Sequence, residues 1–324
     1  SLAGFTSLAQ WLISFSLSRN IIFCALFMFL TVGIVSGGVV NGIERWSVRL
    51  MPTLFVIMVL LFAYVMTQQG AMEGLKVYLL PDFAEALNPD LLISAMGQAF
   101  FSMSLGVGTM LIYGSYVSQK ENLPRLGAAV SLVDIGVAVL AGLLIIPAMY
   151  VALHNGVQIF SESGQLLAED TLIFTVLPSL FSTMGMVGLL IALAFFLLMS
   201  IAALTSSISM LEVPVSYMVE HRNVARQKAV WLVAAVIFAA SLAIIFNFDS
   251  LFGFVITLTT RYSQPLLGLM LCIFAGWVWN RNAILQELKK GDSQAEFSWF
   301  WRIWPWYVKF VCPLIIAIMF YRSL

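Results

Sequence analysis

The chain has 324 residues, of which 61% are hydrophobic and only 10% are charged. Soluble domains carry about 25% charged residues, so this composition excludes an ordinary water-soluble protein, and the net charge of zero argues against a nucleic-acid partner. Backbone groups in lipid must bond within helices or closed barrels, and the apolar runs are longer than barrel strands. The sequence therefore predicts an all-α, polytopic membrane protein with the lipid bilayer as its solvent.

The apolar runs predict about eight transmembrane helices in chain order. Each run is close to the roughly 20 residues that cross the hydrocarbon layer. We expect a short interfacial helix through Trp11-Leu12-Ile13 before the first span. The predicted spans are residues 20–38, 51–68, 93–117, 127–153, 183–212, 227–247, 250–279 and 303–321.

Charges in the connecting loops predict the orientation of these spans. One set of alternate loops is basic, with Arg45 and Arg49 in the first of them, and the opposite set is mainly acidic. By the positive-inside rule the basic loops are cytoplasmic, so the first span enters from outside and the C-terminus at Leu324 also lies outside. We expect a single transmembrane domain over residues 1–324 in the cell inner (cytoplasmic) membrane.

Two of the outer loops are long, about residues 69–92 and 154–182. Pro81-Asp82-Phe83 and His154-Asn155-Gly156 predict turns within them. The apolar patch Leu172-Ile173-Phe174 suggests that the second loop folds back on the helices.

Three cysteines lie in apolar stretches, and no spacing among them indicates a disulfide or a metal site. The sequence shows no phosphate-binding loop and no catalytic triad spacing, so we expect neither an enzyme nor an organic cofactor. An intramembrane enzyme that uses Asp134 with Glu212 is a rival interpretation, although these acids form no known motif.

The third span contains two serines and two glycines at the centre of the membrane, in Ser102-Met103-Ser104-Leu105-Gly106-Val107-Gly108. Glycine weakens a helix by about 1 kcal/mol, and Gly/Ser pairs are a known cause of kinks. One interpretation is a broken helix whose free backbone groups hold substrate and ions. The alternative is close helix packing through small residues.

The fifth span carries small and hydroxyl residues on one helical face, since Ala202, Thr205, Ser206 and Ser209 follow the spacing 0, 3, 4 and 7. Their carbonyl and hydroxyl oxygens are hard ligands that suit a small cation. The alternative is that the hydroxyls bond to carbonyls of their own helix.

Charged residues inside predicted spans are functional candidates by default, because lipid makes them costly. Asp134 is the clearest, although it could also reach water near a membrane face. Glu212 could instead snorkel or cap its helix, and Arg261 has no partner that the sequence identifies.

Together these residues resemble the neurotransmitter:sodium symporter family, especially its bacterial amino-acid transporters. The resemblance covers nearly the whole chain and corresponds to family spans 4 to 11, with spans 1 to 3 missing. It implies part of the leucine-transporter-like bundle of inverted repeats, with a helix broken near Ser104–Gly108. The motifs that carry it are Gly42-Ile43-Glu44-Arg45, Met51-Pro52-Thr53-Leu54-Phe55, Pro81-Asp82-Phe83, Gly97-Gln98-Ala99-Phe100-Phe101-Ser102-Met103-Ser104-Leu105-Gly106, Tyr113-Gly114-Ser115-Tyr116 and Ala203-Leu204-Thr205-Ser206-Ser207-Ile208.

The resemblance implies two sodium sites in the full-length protein. Ser102 and Asp134 match ligands of the first, although the family usually has Asn at the position of Asp134. The carbonyl of Ala202, with Thr205 and Ser206, matches the second. The acid at position 134 could also supply the negative charge that chloride gives in chloride-dependent relatives.

The resemblance also implies a substrate pocket and a gate. The pocket positions are Phe101, Ser104, Val107, Ser206 and Met210, whose apolar members favour a neutral, hydrophobic amino acid. Tyr116 and Glu220 match members of a cytoplasmic gate. Gly42 and Pro52, with nine residues between them, match a motif that unwinds to admit water.

The expected function is therefore sodium-coupled symport of an amino acid by alternating access, with sodium and the amino acid as small partners. One alternative is a substrate-gated channel or receptor of the same fold. Another is a truncated fragment that does not transport by itself. The sequence leaves the particular amino acid, the number of sodium ions and the oligomeric state open.

Overall fold

The computed structural model describes residues 15–80, 88–160 and 185–323, together with residues 173, 177, 178 and 181. The interfacial helix expected through Trp11, the turn at Pro81-Asp82-Phe83 and most of the patch at Leu172-Ile173-Phe174 lie outside these residues. The described chain is helical almost throughout. Its helices are α1 (Leu17–Ser36), α2 (Val39–Val65), α3 (Ala71–Leu79), α4 (Pro89–Ser102), α5 (Thr109–Tyr116), α6 (Leu123–His154), α7 (Gly185–Arg222), α8 (Arg226–Phe246), α9 (Phe248–Val278), α10 (Arg281–Gly291) and α11, which is composed of Trp299–Trp306, Tyr307–Val311 and Cys312–Ser323.

Six of the described helices are long and apolar enough to cross a membrane, and the bent pair α9 and α10 provides a seventh candidate span. Helices α4 and α5 together occupy the third predicted span. The all-α fold with about eight spans is therefore confirmed. Large apolar side chains such as Ile22, Phe29 and Leu60 are each 64% exposed, as expected of surfaces that face lipid.

The second span begins earlier than the sequence predicted. Instead of a loop before residue 51, a π-helical turn at Val39–Glu44 leads directly into the α-helix Arg45–Val65. Arg45 and Arg49 thus lie on the first turns of a helix, where long basic side chains can extend to water. Another difference is α3, since no helix was expected within the loop 69–92.

The chain divides into two compact units. The prediction of a single domain over residues 1–324 stays a prediction. The first unit holds α1 to α3, residues 136–154 of α6, residues 185–211 of α7 and residues 226–239 of α8. The second unit holds α4, α5, α9, α10 and α11, with residues 123–135 of α6, 212–222 of α7 and 240–246 of α8.

The core of the first unit follows from a stripe along α2. Leu54, Met58, Leu61 and Val65 recur at helical spacing, and they pack with apolar residues of α6 and α7. Small residues bring the helices close, because lipid offers no hydrophobic drive for helix association. A Cβ on Gly74 of α3 would lie 2.7 Å from Cα of Pro147 in α6.

Polar contacts join α1 to α7 and α8 within the first unit. The hydroxyls of Thr31 in α1 and Ser207 in α7 are 2.9 Å apart. Arg226, at the start of α8, donates from Nε and Nη2 to the carbonyl oxygen of Val35 at 3.1 and 3.0 Å. This carbonyl lies at the end of α1, where backbone acceptors lack partners within the helix.

In the second unit, α9 is interrupted by π-helical segments, including Thr257–Ser263, before α10 turns away by 100°. Cys272 in α9 and Cys312 in α11 are free thiols whose side chains lie close to each other. Nothing in the local sequence indicates that proximity, since it depends on how the two helices pack.

Replacement of Gly74 by alanine should destabilise the protein. The added Cβ would meet the backbone of α6 at 2.7 to 2.9 Å, and overpacking costs about 1–3 kcal/mol. Gly33→Ala is the matched control, because a Cβ added at Gly33 meets no atom within 4 Å. In thermal unfolding in detergent, followed by tryptophan fluorescence, Gly74→Ala should lower the midpoint and Gly33→Ala should not. Equal midpoints for the two variants would contradict this packing.

Candidate functional site

The third predicted span is a broken helix. Helix α4 ends at Ser102, α5 begins at Thr109, and the six residues between them form turns. Ser104 and Gly108 have positive φ values of 51° and 84°. A non-glycine residue in the left-handed region costs energy and ends a right-handed helix. The predicted break near Ser104–Gly108 is confirmed.

The broken segment packs against α9 at Gly106. Gly106 is buried, and a Cβ at this position would overlap the backbone of Gln264. Irregular backbone survives at membrane depth only where protein or a cavity surrounds it. Glycine at position 106 therefore allows the contact that shelters the break.

Ser102 and Asp134 are brought together at the end of α4. The Ser102 hydroxyl lies 2.9 Å from each carboxylate oxygen of Asp134 and donates its single proton to them. An ionised carboxylate offers about four acceptor sites, so one hydroxyl leaves most of them free. Among the described residues, Ser102 is the hydrogen-bond donor to this carboxylate. The pair thus presents three hard oxygens with spare capacity for a cation.

Asp134 lies well inside its helix. It follows Leu123, the first residue of α6, by eleven positions, which is about 16 Å along an α-helix. The alternative that it lies beside a membrane face fits this placement poorly.

The second candidate site for a cation lies on α7. Thr205 and Ser206 donate their hydroxyls to the carbonyl oxygen of Ala202 at 2.9 and 3.1 Å. The sequence left open that these hydroxyls bond to carbonyls of their own helix, and such bonds are present. The three oxygens nonetheless cluster, and each hydroxyl can rotate so that its lone pairs face a cation.

The five candidate pocket residues are divided between the two units. Ser206 and Met210 lie on one face of α7 in the first unit, and both are exposed there. Phe101, Ser104 and Val107 belong to the second unit, at or beside the helix break. Their role as a pocket stays a prediction.

Arg261 lines a cavity of about 330 Å³ within the second unit. Phe101, Gln98 and Gln264 also line it, and Gln264 is only 8% exposed. Among the described residues, Arg261 forms no salt bridge. The sequence identified no acidic partner for Arg261, and the described part of the chain provides none.

The tyrosine of the candidate gate contacts Glu212 and Ser216, two residues that the sequence did not connect with a gate. Tyr116 donates to Oε1 of Glu212 at 2.6 Å, and the hydroxyl of Ser216, which lies next to that of Tyr116, donates to the same oxygen at 3.1 Å. Glu212 is fully buried, so the alternative that it snorkels to water is wrong. Glu220 is exposed, two helical turns further on. The spacing 212, 216 and 220 was the available signal, since it places all three on one face of α7.

Comparisons with known proteins agree on one family. The sequence model of the Sodium:neurotransmitter symporter family matches residues 9–324. The uncharacterized sodium-dependent transporter YhdH of Bacillus subtilis is 34% identical over 309 residues, which cover 91% of this chain and 64% of the relative. An uncharacterized sodium-dependent transporter of Haemophilus influenzae is 34% identical over 315 residues, which cover 94% of this chain and 65% of the relative. The chain thus spans slightly less than two thirds of these relatives.

A solved structure and a more distant relative extend the comparison. The crystal structure of MhsT in complex with L-phenylalanine superposes with a TM-score of 0.77 at 33% identity, over 94% of this chain and 68% of that one. The human sodium- and chloride-dependent creatine transporter 1 is 24% identical over 290 residues, which cover 83% of this chain and 44% of the relative.

Removal of the Tyr116 hydroxyl should destabilise the protein. Tyr116→Phe deletes a donor to the buried Glu212 carboxylate, and a buried group that loses a partner costs about 1–3 kcal/mol. Glu220→Gln changes an exposed residue of the same helix and should shift stability by no more than about 0.5 kcal/mol. Thermal unfolding midpoints of the two variants measure the difference, and a midpoint for Tyr116→Phe as high as that of Glu220→Gln would refute the buried contact.

Proposed function

Because the chain belongs to the sodium:neurotransmitter symporter family, we propose that the complete gene product is a symporter that couples sodium entry to uptake of a neutral, hydrophobic amino acid. Membership makes the protein a polytopic membrane transporter of a sodium-dependent family. The proposal rests chiefly on one observation, the Ser102–Asp134 pair directly beside a broken helix. A carboxylate with unused acceptor sites, next to free backbone groups, suits an ion and a substrate bound as neighbours.

The proposed first sodium site uses Ser102 and Asp134, and the second uses the carbonyl of Ala202 with Thr205 and Ser206. Oxygen ligands match a small, hard cation, and neither group requires covalent chemistry. Sodium bound beside the substrate would favour one conformation and raise substrate affinity there. Such differential affinity is what couples two ligands.

The proposed substrate contacts are Phe101, Ser104, Val107, Ser206 and Met210. Three apolar side chains would surround the apolar part of the amino acid, and the free amides near Ser104 would hold its polar backbone groups. The phenylalanine in the related MhsT structure supports this substrate class.

The proposed cytoplasmic gate contains Tyr116 and Glu220. The contacts of Tyr116 add Glu212 and Ser216 beneath the gate as residues that hold the tyrosine in place. The basic loops support a cytoplasmic location for this end of α7 in the cell inner membrane, with the C-terminus outside.

The test is uptake of radiolabelled phenylalanine or leucine into vesicles reconstituted with the complete gene product. An inward sodium gradient should drive accumulation above the external concentration, and the same gradient of choline should not. Accumulation to equilibrium only, with or without sodium, would favour the channel or receptor interpretation and overturn coupled transport.

Loss of the Thr205 hydroxyl should weaken sodium dependence. Thr205→Val removes one proposed ligand while keeping the shape of the side chain, and we expect the sodium concentration for half-maximal uptake to rise roughly tenfold, equivalent to about 1.4 kcal/mol. Ser200→Ala is the control, because its hydroxyl bonds only Phe196 of the same helix among the described residues. Similar sodium curves for both variants would remove Thr205 from the site.

Asp134 should make transport independent of chloride. Its carboxylate would supply a fixed negative charge beside the sodium ion, whereas Ala138 one turn further on cannot. Uptake should therefore persist when gluconate replaces chloride, and Asp134→Asn should make uptake depend on chloride. Loss of transport by the unmodified protein in gluconate would refute this role.

A further inference from the structure

Tryptophan residues concentrate around the bend between α9 and α10. Six of the nine tryptophans lie between residues 277 and 306, and tryptophan is enriched where a membrane meets water. Because α10 turns by 100° from α9, it runs nearly along the membrane plane if α9 spans the membrane. Its buried face carries Ile284 and Leu288, as in amphipathic helices that lie in the interface.

A cavity of about 230 Å³ opens at this bend, and two cations line it, Arg281 and Lys309. Aromatic rings hold both. The Arg281 guanidinium carbon lies 5.3 Å from the centre of the Trp301 ring, and Lys309 Nζ lies 4.3 Å from the centre of the Trp277 ring. Cation–π contacts of this kind fix a charge without neutralising it.

The nearby acids are engaged with other residues. Glu287 pairs with Lys290 at 2.7 Å, and Glu296 pairs with Lys289 at 2.5 Å. Asp292 accepts from the side-chain amide of Asn122 at 3.1 Å. Within the described part of the chain, no carboxylate forms a salt bridge with Arg281 or Lys309, so no acidic side chain there neutralises the two basic residues that line the cavity.

An apolar groove adjoins the cavity. It has a volume of about 500 Å³ and shares Trp279, Ile284 and Trp304 with the cavity. The remaining lining is apolar apart from Glu287, which is paired with Lys290. A cavity lined by two basic residues, beside an apolar groove, matches a molecule that has an anionic head and a hydrocarbon tail.

We propose that this cavity and groove form a binding site for an anionic glycerophospholipid, with the phosphate between Arg281 and Lys309 and an acyl chain along the groove. Basic pockets between spans on the cytoplasmic side are known to hold such headgroups, and the basic residues of α10 place the site on that side under the positive-inside rule.

The depth of Lys309 agrees with this occupant. A Cβ on Gly276 would lie 2.9 Å from the Lys309 Cα, and Gly276 is two residues before the end of α9 at Val278. Lys309 is therefore level with the last turn of a span, where lipid phosphates lie. A soluble phosphate would fill the cavity but leave the groove without a ligand.

The test is native mass spectrometry of the complete gene product in detergent, with equal amounts of dioleoyl phosphatidylglycerol and dioleoyl phosphatidylcholine. The double variant Arg281→Gln/Lys309→Gln removes the two cavity cations. Lys228→Gln/Lys289→Gln removes the same charge from two exposed lysines that line neither the cavity nor the groove, and it is the matched control. At about 1 kcal/mol per basic residue near lipid headgroups, we expect the cavity variant to lose roughly thirtyfold in preference for phosphatidylglycerol. The control should keep that preference.

Two further measurements separate the parts of the site. Gly127→Leu adds an apolar side chain at a position that lines the groove, where a Cβ meets no atom within 4 Å, and it should weaken lipid binding while the cations remain. Glycerol phosphate should not displace bound phosphatidylglycerol, because it lacks the acyl chain. Complete displacement by glycerol phosphate, or equal lipid preference in the two double variants, would overturn the proposal. If the cavity variant fails to fold by circular dichroism, Lys309→Gln against Lys289→Gln repeats the comparison with single changes.

Discussion

The bond between Ser102 and Asp134 satisfies only part of the hydrogen-bonding capacity of a carboxylate that lies within a predicted membrane span. A fully ionised acid in lipid is costly unless it is paired. Here the donor is one hydroxyl at the last residue of α4, immediately before the chain leaves helical geometry at Ser104. The unused acceptor sites of the Asp134 carboxylate therefore lie beside the backbone groups that the helix break leaves free, within the second unit.

The fully buried polar groups behave differently from this pair, because their hydrogen bonds are formed within the protein. Glu212 receives hydrogen bonds from Tyr116 and Ser216, and Thr31 bonds Ser207. Among the described residues, no buried side-chain nitrogen or oxygen lacks a hydrogen-bond partner. Satisfied polar contacts of this kind hold helices together in lipid, whereas a carboxylate with spare acceptor sites is suited to bind an ion.

Much of the fold could be predicted because lipid leaves few alternatives. A run of roughly 20 apolar residues must be helical, and the Gly/Ser segment from Ser102 to Gly108 marked the break. Boundaries were harder to predict where basic residues begin a helix, as at Arg45 and Arg49, since a charge at the interface is compatible with both a loop and a helix end. The π-helical turn at Val39–Glu44 has no distinct sequence signature.

The candidate site was predictable in its individual residues more than in its contacts. Asp134 was recognisable because an acid between apolar neighbours is rare, and Ser102 because of its place in a family motif. The hydrogen bond between Tyr116 and Glu212 was not predicted, because an acidic side chain near the end of a predicted span can also extend to water at little energetic cost. Which alternative holds depends on how α5 packs against α7 in the second unit, and helix packing is not encoded in local spacing.

The lipid bilayer bears on two charged regions of the second unit that have opposite sign, namely Asp134 and the pair Arg281 and Lys309. Asp134 lies deep in α6 and has a single hydroxyl as its described donor, so an ion is the natural complement of its charge. Arg281 and Lys309 lie beside tryptophans at the end of a span, where the abundant anions belong to lipids. Among the described residues, neither region supplies an oppositely charged side chain for these groups. We therefore propose a sodium ion as the counterion of Asp134 and a lipid phosphate as the counterion of Arg281 and Lys309.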